Sequence, residues 1–319
     1  MRPFFKNHVL EQQPFKPMII VVDTTKAGSA SNTFVLPIIK AASETVKIYW
    51  GDGTSSMGVN GDNPHVYAAS GVYTVKIESK VFGGIYFNNM GDKAKIVRVV
   101  SFGRGVVRSL TSSFYGCSSL LSIDIGDIVS NDADASHWFR GCTSLTTVPL
   151  FDLSSVTNAY AMFYQCNGLT TVPLFNLSNC TSTQSMFSLC SSLTTVPLFD
   201  LSSVTDAYAM FYQCTALTTV PLFDLSKVTN TSSMFFQCSS LMSVPFLNLS
   251  SCTNASNMFL GVTLTTQSYS DFLINLATLP LQSGVSFHGG NSKYNVAGGV
   301  ARAYLISNFG WTITDGGAA

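Results

Sequence analysis

Apolar residues recur along the middle of the chain with a period of 24, far longer than a helix or strand repeat. Pro149, Pro173, Pro197, Pro221 and Pro245 keep that step, as do Cys142, Cys166, Cys190, Cys214 and Cys238. Met162, Met186, Met210, Met234 and Met258, each followed by Phe, keep it too. Such fixed-step self-similarity marks stacked repeats, because a single unit cannot bury its apolar face alone. Within a unit, Leu145-Thr-Thr-Val148 alternates and predicts a short strand, ended by the following Pro, which has no ladder donor. Leu153-Ser-Ser-Val156-Thr157 carries side-chain oxygens that cap a turn, and Met162, Phe163 and Cys166 lie at helical spacing on one face. The predicted coil is strand, turn and short helix. About seven coils at the roughly 4.8 Å strand separation make a stack about 30 to 35 Å long. Upstream the register loosens: Phe114-Tyr-Gly-Cys117 matches Phe163-Tyr-Gln-Cys166, and the step from Cys117 to Cys142 is 25 residues.

The flanks follow other patterns. Met18 to Val22 is an apolar run of strand length, and Tyr73-Thr-Val-Lys-Ile77 alternates as a half-buried strand does. Between them, Gly51-Asp52-Gly53 supplies the positive φ values of a tight hairpin. Beyond Leu264 the 24-residue step is lost. A helix over Ala301 to Asn308, ended by Gly310 and followed by a strand with Trp311 and Ile313, is the atypical last unit that covers the open end of a repeat core. The first residues, MRPFFKNHVLEQQPFKP, hold no apolar run of signal-peptide length and no small-residue cleavage site. They read as an arm, either docked onto another molecule or disordered. The expected organisation is an arm over 1–14, a β-sandwich over 15–92, repeats over 93–262 and a C-terminal cap over 263–319. The fold class is mainly β with short helices.

Composition narrows the function. Seventeen basic residues balance seventeen acidic ones and only 11% of the chain is charged. That argues against nucleic acid or anionic membrane as main partner, since both require a dense basic surface. No apolar window reaches the roughly 18 to 20 residues of a membrane span. Five of the eight cysteines hold one repeat position, and Cys180 and Cys252 stand where other coils have Val156, Val204 and Val228. A cysteine that exchanges with valine is packing, so buried free thiols are expected, with a bridge or metal as the alternative. His8, His65, His137 and His288 are scattered, without zinc-site spacing, and no nucleophile or phosphate-loop motif occurs. No cofactor is expected, and no enzyme activity. Asp52 and His65 suggest a catalytic pair, but the preferred reading is an aspartate shaping its turn with the histidine packed against it. The weak metal candidates are Asp124, Asp127, Asp132 and Asp134, whose clustered carboxylates suit calcium; a solvated loop is the bland alternative.

Ligand contacts are sought where exposed positions vary over a constant core. Tyr160, Tyr164, Tyr208 and Tyr212 occur in identical contexts two coils apart, and exposed tyrosines favour sugar or protein contacts. Covering of the core edge is the alternative. Thr-Thr pairs at 146–147, 170–171, 194–195 and 218–219 form a second regular feature, a hydroxyl column that reads as glycan- or ice-binding or simply as strand surface.

Met210-Phe-Tyr-Gln-Cys214-Thr-Ala-Leu217 and Val220-Pro-Leu-Phe223 resemble the BspA-type leucine-rich repeat family over about half the chain. The resemblance implies a leucine-rich-repeat solenoid and a surface adhesin, with no particular ligand. Tyr49-Trp50-Gly-Asp52-Gly53-Thr54, His65-Val-Tyr67 and Gly71-Val-Tyr73 resemble the PKD-type β-sandwich, although the Phe of that family's usual W-D-F-G-D-G is missing. That resemblance implies a spacer or adhesion module. Together they lead to an expected virion surface protein, a bacteriophage fibre or capsid decoration. Its arm binds a virion partner and its repeats bind host surface glycan or protein; a homo-oligomer is possible. A bacterial cell-surface adhesin is the rival.

Overall fold

A computed structural model describes residues 16–319 apart from residues 80, 104, 105, 108, 125–128 and 131; the arm over 1–14 lies outside the described residues. Nine strands occupy the N-terminal third: β1 (Met18–Asp23), β2 (Thr33–Ile39), β3 (Lys47–Tyr49), β4 (Ser55–Met57), β5 (Gly61–Val66), β6 (Val72–Glu78), β7 (Val81–Phe82), β8 (Gly84–Ile85) and β9 (Ile96–Ser101). Three two-residue strands follow, β10 (Val106–Val107), β11 (Ser122–Ile123) and β12 (Val129–Ser130). Period-two burial fixes which way the longer strands face. Met18, Ile20 and Val22 point inward from β1, and Phe34, Leu36 and Ile38 from β2.

One sheet has the order β11-β9-β1-β6-β3-β4 and a second the order β5-β2-β8, and their buried residues join one continuous core. β10 lies parallel between β12 and β7. β1 is antiparallel to both β6 and β9. Since β9 starts at Ile96, this sheet runs past residue 92 and, through β11, into the first repeat. Lys95 and Asp92, both buried, tie the loop before β2 and the first residues of that strand to this region. Lys95 Nζ donates to the carbonyls of Ser29, Ala30 and Thr33 at 2.7–3.0 Å, and Asp92 accepts from the backbone of Ser29 and Val35. At Gly103 (φ +80), just past β9, the chain runs against its own entry point. A Cβ there would stand 2.7–2.9 Å from backbone atoms of Lys16, Pro17 and Met18, a contact only glycine permits.

From residue 110 onward, successive units lie one on the next. Single-residue parallel bridges run Asp134–Asn158–Ser182–Asp206–Asn230–Asn254, one residue per unit. Inside, Phe139, Phe163, Phe187, Phe211, Phe235 and Phe259 stack at 5.5–5.7 Å between ring centres. Phe151, Phe175, Phe199 and Phe223 form a second file at 6.1–6.4 Å. All eight cysteines are buried and free. Those at the repeat position donate Sγ to a core backbone carbonyl, as Cys166 does to Phe139 at 3.1 Å.

The short helix expected at Met162–Cys166 is not formed. Met162 N–H turns back to its own unit at Ala159, 3.2 Å, while Phe163 N–H reaches forward to Met186 in the next unit, 2.9 Å. Tyr164 and Gln165 repeat the alternation, and Ala161 (φ 51) and Gln165 (φ 60) are left-handed. Donors that alternate between two units cannot make a run of i to i−4 bonds, so helical side-chain spacing arises here from paired turns. Nor is Leu145–Val148 a strand. Its neighbours supply one bond per unit, such as Thr170 N–H to the Thr146 carbonyl at 3.0 Å, too few for a ladder.

After the repeats come α1 (Thr266–Leu276), β13 (Ser286–His288), α2 (Val296–Phe309) and β14 (Thr312–Thr314). Thr265 and Asn295 accept from backbone N–H groups at the two helix starts, and left-handed Gly310 ends α2. β13 and β14 pair in parallel, and Phe287, Trp311 and Phe272 close over Phe259, the last ring of the inner file. The described chain is mainly β with two α-helices.

Candidate functional site

The alternating turns place two parallel rows of side chains on one side of the stack. Each residue of the first row receives a backbone hydrogen bond from the preceding unit; the row reads Ser136, Tyr160, Gln184, Tyr208, Ser232, Ser256. The second reads Tyr115, Arg140, Tyr164, Ser188, Tyr212, Phe236, Leu260 by the same criterion. All four tyrosines singled out from the sequence therefore fall on one face. Tyr208 is 39% exposed, and Tyr160, Tyr164 and Tyr212 are half-buried.

Their neighbours differ. Tyr160 meets the His137 ring edge-on at 4.9 Å, and Tyr212 stacks on Phe236 at 4.6 Å with the planes 4° apart. Arg140 lies between Tyr115 and Tyr164, its guanidinium carbon 5.0 and 4.5 Å from the two ring centres. Among the described residues no carboxylate pairs with it, so the rings hold this cation. Its Nη1 stands 3.4 Å from His137 Nδ1. Burial and then the Arg140 charge push the His137 pKa down, keeping the imidazole neutral at neutral pH. Arg140, Tyr115, His137 and Phe236 are absent from the sequence-based candidates. Aligning Tyr164 back by 24, and again by 25 across the longer unit, brings Arg140 and Tyr115 into its row.

A different side carries an apolar row. Leu150, Leu174, Leu198 and Leu222, each after the repeat proline, are 56–60% exposed, while the phenylalanines that follow them are buried. Beside it run the threonine pairs. The first hydroxyl of each later pair donates to the preceding unit, Thr170 to Thr146 at 3.2 Å and Thr194 to Thr170 at 3.4 Å. The second column, Thr147, Thr171, Thr195 and Thr219, stays exposed.

The acidic candidates are engaged in structural contacts. Asp124 pairs with Arg98, Nε to Oδ1 at 2.9 Å. Asp132 accepts from the backbone of Leu110 and Asp134, and Asp134 from the backbone of Ser136 and the Asn158 amide. Asp127 lies outside the described residues. Among the described residues no three such side chains converge as metal ligands. At the hairpin turn, Asp52 accepts from the backbone and hydroxyl of Thr54 at 3.0 and 2.6 Å and shares a 2.7 Å hydrogen bond with His65 Nε2. His65 stacks on Trp50 with the planes 3° apart, and the Tyr67 hydroxyl donates to the Trp50 carbonyl. Desolvation opposes ionisation of Asp52, but hydrogen bonds from Thr54 and His65 hold its pKa down at about 2. Both side chains are thereby committed to the turn.

Residues 108–219, 133–244 and 170–272 each match the family described as "Mycoplasma protein of unknown function, DUF285". Overlapping matches displaced along the chain are what a repeat produces, and together they span just over half of it. The chain belongs to this family. Comparison with curated proteins gives no match. Membership of DUF285 identifies the repeat.

Proposed function

We propose that this member of DUF285 is a non-enzymatic binding protein, a leucine-rich-repeat solenoid whose tyrosine face holds a surface glycan or protein of a host cell. One observation carries the reading: Tyr160, Tyr164, Tyr208 and Tyr212 stand on one side of a stack whose buried files barely change from unit to unit. A rigid, repetitive core with aromatic variation on one face suits recognition, because tyrosine offers large amphipathic contact area at little conformational cost. In this reading the N-terminal sheets are a PKD-like β-sandwich. The arm over 1–14 joins a virion partner and the repeats face outward from a virion.

The test is adhesion of the purified full chain to host cells and to a glycan array, with Tyr160→Ala/Tyr208→Ala as comparison. Anchor aromatics typically contribute about 2 kcal/mol or more to an interface, so a loss of roughly thirtyfold or more is expected. Unchanged binding by the double variant would refute the tyrosine face. Imaging of purified particles tests the location separately. Particles made with residues 1–14 deleted should lack the protein, whereas a bacterial cell-surface adhesin would instead fractionate with the cell envelope.

A further inference from the structure

The outer side of the C-terminal cap departs from the pattern of a surface helix. Such a helix sets charged and polar residues opposite its buried side. In α2 the buried side is Gly298, Ala301 and Leu305. Opposite it stand Val296, 88% exposed, Val300, 69%, Tyr304, 45%, and Ile306, 40%. Ala297 and Ala303 are exposed as well. Arg302 is the one charged residue of the helix, and it turns to the cap itself: Nε donates to Asp315 Oδ2 at 2.8 Å and Nη2 to the Ile313 carbonyl at 2.9 Å. Val296, Val300, Tyr304 and Ile306 together expose roughly 400 Å² of mainly apolar surface, the size at which a patch marks an interaction site.

This patch holds both halves of a contact with itself. Val296, Val300 and Tyr304 are four residues apart and follow one another along one face. Between α1 and α2 lies an open groove of about 540 Å³, lined by Ile274 and Ala277 of α1 and by Ala297, Val300, Ala301 and Tyr304 of α2. Val296, the most exposed of the row, is not part of that lining. Turning the row end for end about Val300 brings Val296 of one copy against Tyr304 of the other, at the groove, and the reverse. Such an exchange, in which residue i meets j and j meets i, defines a twofold contact. No charged residue lines the groove, so none has to be desolvated.

We propose that this face of the cap docks a second copy of the chain, the two α2 helices crossing antiparallel at Val300 with each Val296 seated in the groove of the other copy. The exposed patch is about half of the roughly 800 Å² that each partner gives to a standard interface, so the dimer is reversible. The inference is independent of the tyrosine face, which lies on the repeats. Two such faces held together gain avidity on a surface that offers many ligands.

Sedimentation equilibrium of the full chain from about 1 µM to 1 mM should show the mass rising from monomer towards dimer. Val300→Glu should keep the chain monomeric over that range with an unchanged or higher unfolding temperature, because the position is exposed and glutamate is the better helix former. Val300→Cys, at the crossing, should give a disulfide-linked dimer on mild oxidation, because the eight native thiols are buried. Ser307→Cys, exposed on the same helix but away from the crossing, should not. The two cysteine variants carry the test if Val300→Glu does not fold. A monomer throughout, a dimer that Val300→Glu leaves intact, or equal cross-linking at both cysteines overturns the inference. So does a monomeric chain that takes up a peptide of its own residues 1–15 here, read from shifts of the Tyr304 ring resonances; the groove then belongs to the arm, whose Phe4, Phe5 and Leu10 are apolar.

Discussion

Replacing Phe199 and its neighbour Leu198 separately by alanine sets the buried file against the exposed row. Phe199 is 1% exposed and contacts Phe175, Phe223 and Phe187 at 6.2, 6.4 and 5.9 Å. Phe199→Ala removes a fully buried ring and leaves a cavity in a middle unit, which costs about 3–5 kcal/mol. The three lost ring contacts, each about 0.5–1.5 kcal/mol, place it toward the upper end. Leu198 is 56% exposed. Full burial of a leucine is worth roughly 1.5–3 kcal/mol and less than half of that is realised here, so Leu198→Ala should cost about 1 kcal/mol or less. Urea denaturation followed by far-ultraviolet circular dichroism measures both. Fluorescence adds a second readout, because Trp50 and Trp138 lie before the altered unit and Trp311 after it. Units that couple only to their neighbours should separate in Phe199→Ala, and variants keeping a single tryptophan on one side of it then report different midpoints. A difference between the two variants below about 1 kcal/mol would refute the assignment of an inner file and an outer row.

Other expectations follow from the same packing. Burial raises the Cys190 and Cys238 thiols to about 12, so none of the eight cysteines should react with a disulfide reagent at pH 8 until denaturant is added; rapid native labelling would show the column to be open. The Asp52 carboxyl, held at about 2 against an ordinary value of 3.8, contributes stability that is complete above pH 4 and lost as pH falls through 2. Asp52→Asn should therefore flatten the acid limb of a stability curve between pH 4 and 2, and an unchanged limb would show that the turn does not depend on the charge. Gln165 is exposed and left-handed in a row whose other members include Gly116, Gly141 and Gly261. Gln165→Gly should raise stability by about 0.5–1 kcal/mol, because relief of left-handed strain exceeds the added freedom of the unfolded chain; destabilisation on thermal melting would contradict this.

Positions carried by side-chain volume were legible in the sequence. Five prolines, cysteines and Met-Phe pairs at a constant step announce stacked units, and valine at the Cys180 position announces a buried thiol. Gly310 likewise marks the end of the last helix. Backbone routing was not legible. Met162, Phe163 and Cys166 have the side-chain periodicity of a helix, but which unit receives each N–H depends on a neighbour 23 residues away, and side-chain spacing carries no record of that partner. The same limit hid Arg140. Its relation to Tyr164 appears only when rows are aligned across the 25-residue step, while the four tyrosines repeat visibly within a strict period. Asp124 drew attention as an acid among acids, although its partner, Arg98, lies in a strand far earlier in the chain.

The close approach at Gly103 changes what the N-terminal sheets contribute to reach. The chain enters them at Lys16 to Met18, and Gly103, just past β9, lies in contact with that point. A pull applied at Lys16 thus reaches the start of the repeats over a short distance, although nearly ninety residues separate the two points along the chain. In the proposed attachment through the arm, this module would add little length between anchor and repeats, and the height at which the tyrosine face is presented would follow from the number of units.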